Sequence, residues 1–302
     1  MAITTEPFDR LSPGFRVGHW TSPGAASGCT VILPPAGNVT SYDVRGSSPG
    51  SRELAPLDLE RQRTEIHGLL FTGGSAFGLS AADGVMRWLE EHGIGFRTPI
   101  ATIPIVPAAV IFDPAAGMPG ERPGAEAGYA ACDAAGEGPI PTGRVGVGTG
   151  ATAGKWTGIE FFVPGGLGIA RATEDELEVR ALAVANPVGD VVGADGTVLA
   201  GSTNPEPRFR PPPAEPEVAW NTVLVVVTTI ARLAKADVRY LAARASDGIT
   251  RAIRPAHTRY DGDIAFAVAA PGDPAATLTD LDRLGLLATE ATASAIRAAV
   301  AG

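Results

Sequence analysis

The chain has 302 residues, of which 45% are hydrophobic and 19% charged, with a formal net charge of −9 and a pI near 5.0. That balance is too apolar for disorder, and the 38 Gly and 26 Pro follow no collagen-like period. An acidic chain without a block of Lys or Arg is not built to hold nucleic acid or an anionic membrane. Cys29 and Cys132 are too few for a disulfide framework, and four scattered His argue against metal chemistry.

Met1 to Arg10 has neither a basic start nor an apolar core, and no apolar run approaches a bilayer span, so a soluble cytoplasmic protein is expected. Residues 15–45 alternate like strands broken by turns: Phe15 to His19, Cys29 to Leu33 and Val39 to Val44. Another short apolar run, Ile66 to Thr72, ends in Gly73-Gly74-Ser75. Ser75 then reads as the N-cap of a helix with Leu79, Ala82, Val85, Met86 and Leu89 on one face and Gly93 as its stop. Pro104 to Asp113 reads as a strand or strand edge, and Glu126 to Ala135 as an Ala-rich helix.

Residues 143–155 are the most glycine-dense stretch, yet a phosphate loop is not met. Thr149 stands where a Walker loop needs Gly, Trp156 where it needs Ser or Thr, and no helix follows to receive a pyrophosphate. What remains is a loop of close backbone approach, with Lys155 as its charge. Leu177 to Val184 reads as a strand and Asn186-Pro187-Val188-Gly189-Asp190 as a turn. Val238 to Ala252 reads as a helix interrupted at Gly248, Ile264 to Ala269 as a last strand, and Leu278 to Val300 as a helix burying Leu284, Leu287, Ala291, Ala295 and Ile296. Strands and helices interleave throughout, so the class is α/β or α+β in a single domain.

The chemistry gathers at Asn221-Thr222. The Pro-rich segment Pro205 to Pro216 can be neither helix nor central strand, and it runs into the apolar, β-branched strand Thr222 to Ile230. A hydroxyl residue heading a core strand behind an extended leader suits a self-cleaving nucleophile. Its side chain attacks the preceding carbonyl, and its freed amine, of ordinary pKa about 7.7–8.0, then serves as base. The plain alternative is a linker followed by a strand. Asp261-Gly262-Asp263 places two carboxylates at the entrance of the last strand, either as a proton network for a nucleophile or as a solvated Asp-Gly turn. A rival string, Gly46-Ser47-Ser48-Pro49-Gly50 with His257 as distant base, matches a nucleophile elbow, but Pro56 interrupts the helix an elbow requires.

Taken in order, Gly28 to Ile32, Asp43 to Gly46, Gly73 to Ser75, Pro107 to Ile111, Ala153 to Lys155, Asn186 to Gly189, Asn221-Thr222 and His257-Thr258 with Asp261 to Asp263 resemble the self-cleaving aminopeptidase family. That family holds the D-aminopeptidase/esterases, β-peptidyl aminopeptidases and nylon-oligomer hydrolases, and the Thr nucleophile and Asp-Gly-Asp pair are most similar to the last group. The resemblance implies a four-layer αββα sandwich of the N-terminal-nucleophile-like type. It also implies self-cleavage at Asn221-Thr222 into an α chain, 1–221, and a β chain, 222–302, that stay together. It assigns Thr222 as nucleophile, Asn186 as oxyanion donor, Lys155 as proton carrier or electrostatic partner, and Asp261 and Asp263 as holders of the Thr222 amine. Phe112 stands where the relatives carry a site Tyr, keeping the ring and losing the hydroxyl. No cofactor is implied. The expected substrate is a linear amide, an aminohexanoate-type oligomer or the N-terminal residue of a short peptide or β-peptide, and the expected assembly a homo-oligomer of αβ units, a tetramer. An acyltransferase of similar fold and an uncleaved, non-catalytic binding protein are the alternatives.

Overall fold

The computed structural model describes residues 3–206, 208, 221–272 and 276–301. Most of the Pro-rich leader lies outside the described residues. Two sheets carry the architecture, and their strands are numbered in chain order. These are β1 (Thr4–Pro7), β2 (Arg16–Thr21), β3 (Gly28–Leu33), β4 (Val39–Val44), β5 (Ser51–Arg52) and β6 (Leu69–Thr72). They continue with β7 (Ala108–Val110), β8 (Gly166–Glu174), β9 (Leu177–Asn186), β10 (Thr222–Thr229) and β11 (Ile264–Ala269). The six-stranded sheet runs β1-β8-β9-β10-β11-β4 and the five-stranded sheet β2-β3-β6-β7-β5. Pairing is antiparallel except between β10 and β11 and between β6 and β7.

Alternation along β10 shows how one strand serves two cores. Val223, Val225 and Val227 pack with the helices α3 (Lys235–Ala252) and α4 (Leu278–Ala298), while Leu224 and Val226 face Phe71, Ala109 and Ile111 of the other sheet. Fully buried on both faces, β10 is a continuous apolar run, as a central strand should be. A third core packs α1 (Ala81–Glu91) and α2 (Ala125–Asp133) on Cys29, Val31, Leu33, Leu70 and Ala108. The chain is thus a mixed α and β protein with helices on the outer face of each sheet.

Several expectations are corrected. Ser75 does not cap the α-helix: it opens a 3-10 turn, Ser75–Ser80, and the α-helix starts at Ala81. The helix α3 runs unbroken through Gly248, because the residue is small for packing and not for turning. A Cβ there would lie 2.5 Å from the Thr289 carbonyl oxygen of α4. Asn186 is the last residue of β9 and not part of the turn after it. Strands β1 and β8 were not foreseen; β8 begins Gly-Leu-Gly in a stretch to which no element was assigned, and its Gly168 lets α4 come close, since a Cβ would meet the Ala295 carbonyl oxygen at 2.2 Å. Among the described residues, no helix is long and apolar enough to cross a membrane.

Candidate active site

Strand register fixes the first pair. In the antiparallel ladder of β9 and β10, Asn186 stands opposite Thr222, on the face that Leu182, Val184, Leu224 and Val226 turn toward the other sheet. The site therefore sits at one end of the space between the sheets. Thr222 is 4% exposed and Asn186 fully buried. The Thr222 hydroxyl donates to the carbonyl oxygen of Asn221, the residue before it, through a short contact. The same oxygen accepts the Gly262 N–H at 3.1 Å. Two donors on one peptide carbonyl withdraw electrons from its carbon, with the Thr222 hydroxyl oxygen beside it. Gly262 has to be glycine here: a Cβ would stand 2.7 Å from the Ser48 carbonyl oxygen and 2.9 Å from Thr222 Oγ1.

Asn186 is held from both ends. Its Oδ1 accepts from Thr152 N at 3.0 Å, from Thr152 Oγ1 at 3.3 Å and from Lys155 Nζ at 3.0 Å, while its Nδ2 donates to the Phe112 carbonyl at 3.1 Å. That last bond ties the two sheets together, since Phe112 follows β7 by two residues. The Phe112 backbone therefore touches the predicted oxyanion donor.

Lys155 also donates to the Thr152 carbonyl at 2.9 Å and Thr152 Oγ1 at 3.0 Å, and is 5% exposed. Burial lowers its ammonium pKa from 10.5 to about 7, against the opposing pull of Asp261. Its backbone is fastened to the turn after β9, with Lys155 N–H donating to the Val188 carbonyl at 2.8 Å. The glycine-dense loop thus does what close backbone approach allows: it brings a lysine into the core beside Asn186.

Asp261 and Asp263 are 1% and 2% exposed, so the solvated-turn alternative does not hold. Asp261 accepts from Val188 N at 3.1 Å, Thr258 N at 2.9 Å and Thr258 Oγ1 at 2.6 Å, joining the turn after β9 to the loop before β11. Burial, then the neighbouring Asp263 charge, raises its pKa to about 6. Asp263 accepts from Val223 N at 2.7 Å, so it grips the residue next to Thr222, and its other carboxyl oxygen lies 2.8 Å from His257 Nδ1. The elbow alternative is not assembled: the Ser48 hydroxyl donates to the Arg259 carbonyl, and His257 faces Asp263 and the Ser246 carbonyl. Thr152, Val188, Thr258, Gly262 and His257 were missed as site residues. Only Gly262, between two carboxylates, carried a readable signal.

A buried hydroxyl against a polarised amide carbonyl, with a lysine whose pKa burial brings to about 7 close by, suits chemistry on an amide bond. The chain belongs to peptidase family S58, whose model matches residues 12–302, and it is an amide-bond hydrolase. It is 43% identical over 280 residues to an uncharacterized aminopeptidase of Mycobacterium tuberculosis (strain H37Rv), covering 85% of this chain and 79% of that one. It is 32% identical over 273 residues to a 6-aminohexanoate-oligomer endohydrolase of Paenarthrobacter ureafaciens, covering 85% and 73%. In fold it is similar to a Burkholderia β-aminopeptidase, with TM-score 0.76 at 22% identity over 98% of this chain and 88% of the other. It is also similar to the L-aminopeptidase D-Ala-esterase/amidase of Ochrobactrum anthropi, described as a variant of the Ntn hydrolase fold, with TM-score 0.73 at 20% identity over 98% and 86%. The resemblance read in the sequence is therefore correct at the level of family.

Proposed function

We propose that the chain is a precursor with a four-layer αββα arrangement that cuts itself between Asn221 and Thr222, and that the freed Thr222 then hydrolyses linear amides. The observation that carries this reading is the Thr222 hydroxyl bound to the Asn221 carbonyl, whose oxygen also takes the Gly262 N–H. In self-cleavage, Thr222 Oγ1 adds to the Asn221 carbonyl carbon and the electron pair of the C=O moves onto its oxygen, under the Gly262 N–H. The oxyanion's electron pair then re-forms the C=O as the C–N bond breaks, the Thr222 nitrogen takes the proton lost from Oγ1 and becomes a free amine, and an ester joins Asn221 to Thr222 Oγ1. Water hydrolyses that ester, leaving a carboxylate on Asn221 and a free hydroxyl and amine on Thr222.

Substrate turnover repeats the sequence on an external amide, with Asn186 donating to the oxyanion and neutral Lys155 taking and returning the proton. Asp261 and Asp263 hold the turn and the strand start around Thr222. Phe112 supplies an apolar ring where a phenol would otherwise donate. An aminohexanoate-type oligomer is the substrate proposed first. The N-terminal residue of a short peptide is the second reading, favoured by the 43% identical relatives named as aminopeptidases.

The test is the intact mass of the purified protein under denaturing conditions, beside Thr222→Ala. Wild type should give two fragments joining at Asn221 and Thr222, and the variant one full-length mass. A single mass in both after long incubation removes the mechanism. The processed protein is then assayed on aminohexanoate oligomers and on short peptides.

A further inference from the structure

His257 lies outside every role assigned above, yet its surroundings are unusual. Its backbone is left-handed, with φ +53, which a side-chain-bearing residue adopts only when its contacts fix it there. That conformation turns both the main chain and the ring onto one carboxylate. His257 N donates to Asp263 Oδ2 at 3.2 Å, and His257 Nδ1 lies 2.8 Å from the same oxygen. On the other side of the ring, Nε2 lies 3.2 Å from the carbonyl oxygen of Ser246 in α3.

A peptide carbonyl can only accept, so Nε2 carries a proton. An ionised carboxylate can only accept, so Nδ1 carries one too. Both Asp263 oxygens already accept a backbone N–H, Val223 N on Oδ1 and His257 N on Oδ2, so the carboxyl is arranged as an acceptor toward the ring. We propose that His257 is held as an imidazolium that locks Asp263 in place, so that Asp263 holds the Val223 amide and thereby positions Thr222 for attack. It is a positioning residue, acting through Asp263, and the inference rests on the reading of Thr222 as nucleophile.

The surrounding charges agree. Burial opposes a charged ring, but the Asp263 hydrogen bond and charge outweigh it and raise the His257 pKa above its ordinary 6.5. Arg45, at the end of β4, faces the ring and works the other way, although its guanidinium is engaged by Asp43 and by Asp247 of α3. Asp261 feels the charge of Asp263, which raises its pKa, and on its other side it favours the charged form of Lys155. The loop before β11 thus sets the His257 ring against Asp263, on the side of the acidic pair away from the lysine.

Two measurements test this. The first is nitrogen NMR of histidine-labelled Thr222→Ala protein, with the resonance assigned by its loss in the added His257→Gln change. Both ring nitrogens should be protonated below an apparent pKa that lies above 6.5. One unprotonated ring nitrogen at acidic pH overturns the proposal and leaves the Thr222 reading intact. The second is the rate of self-cleavage of precursor made by cell-free synthesis, followed by turnover. His257→Gln should slow both by about 10²-fold, the scale of a misplaced reacting group, acting on kcat with KM little changed. The wild-type rate should fall on the alkaline side as the imidazolium is lost, and the variant should show no such fall. A folded His257→Gln protein with wild-type kcat and an unchanged profile overturns the proposal. If Thr222→Ala is itself processed, the underlying reading fails instead.

Discussion

At the residue scale, the site is an arrangement of groups whose protonation is set by burial. Lys155 keeps four oxygen contacts in the core, on Thr152 and Asn186, yet has a pKa brought down to about 7. A neutral amine accepts a proton and an ammonium does not, so activity should rise through about pH 7 on its acid side. Lys155→Met should lower kcat by at least about 10²-fold, as loss of a general base does. Stability carries the same sign. The folded state holds fewer protons than the unfolded chain between about pH 7 and 10.5, so wild-type stability should increase across that window as pH rises. Urea melts at several pH values should show that increase, and Lys155→Met should flatten it. Asp261 acts oppositely: its raised pKa adds stability that is complete below 3.8 and lost as pH rises through about 6. Thr222 was legible because a hydroxyl heading an apolar, β-branched run is a local signal. The residues around it, Val188, Thr258 and His257, lie on turns that become neighbours only through β9, β10 and β11, so their segments could be noticed in the sequence but their contacts could not be read there.

Elements tell a similar story. The strand β4 and the strand β11 have the limits their alternation and apolar runs predict, and the helix α4 starts where Thr277 and Asp280 exchange capping bonds at 3.2 and 3.1 Å. The errors fall where composition and packing disagree. Gly248 lowers helix propensity, but it lies under α4, where any side chain would meet the Thr289 carbonyl and Thr292. Close approach of two helices outweighs the propensity loss. Gly248→Val should therefore destabilise the Thr222→Ala protein by about 1–3 kcal/mol in chemical denaturation, the usual range for overpacking. Folded wild-type background carrying the same change should still process, because Gly248 touches none of the site groups. The same rule explains why β8 was hidden: Gly166 and Gly168 weaken a strand pattern, and their lack of side chains is what lets α4 cover the strand.

At the scale of the whole molecule, the proposed cut falls inside a sheet and not between two bodies. The segment 222–302 supplies β10 and β11, the parallel pair in the interior of the six-stranded sheet, flanked by β9 and β4 from the segment before the cut. It also supplies α3 and α4, which cover that sheet. Neither product could keep its apolar faces dry alone, so both should co-elute under native conditions and separate only in denaturant, as native and denaturing chromatography of the processed protein would show. This assembly was only partly legible in sequence, because an interior strand pair separated by α3 is a non-local contact that no single segment announces. A cut at Asn221-Thr222 would also give the protein a one-way history. The uncut chain folds by a first-order process, whereas the cut one, once denatured, has to find its other half in solution. Its recovery should therefore fall with dilution while that of Thr222→Ala does not. Such a molecule is made by folding first and being cut afterwards, and its mature form records an order of events that its two separated chains no longer contain.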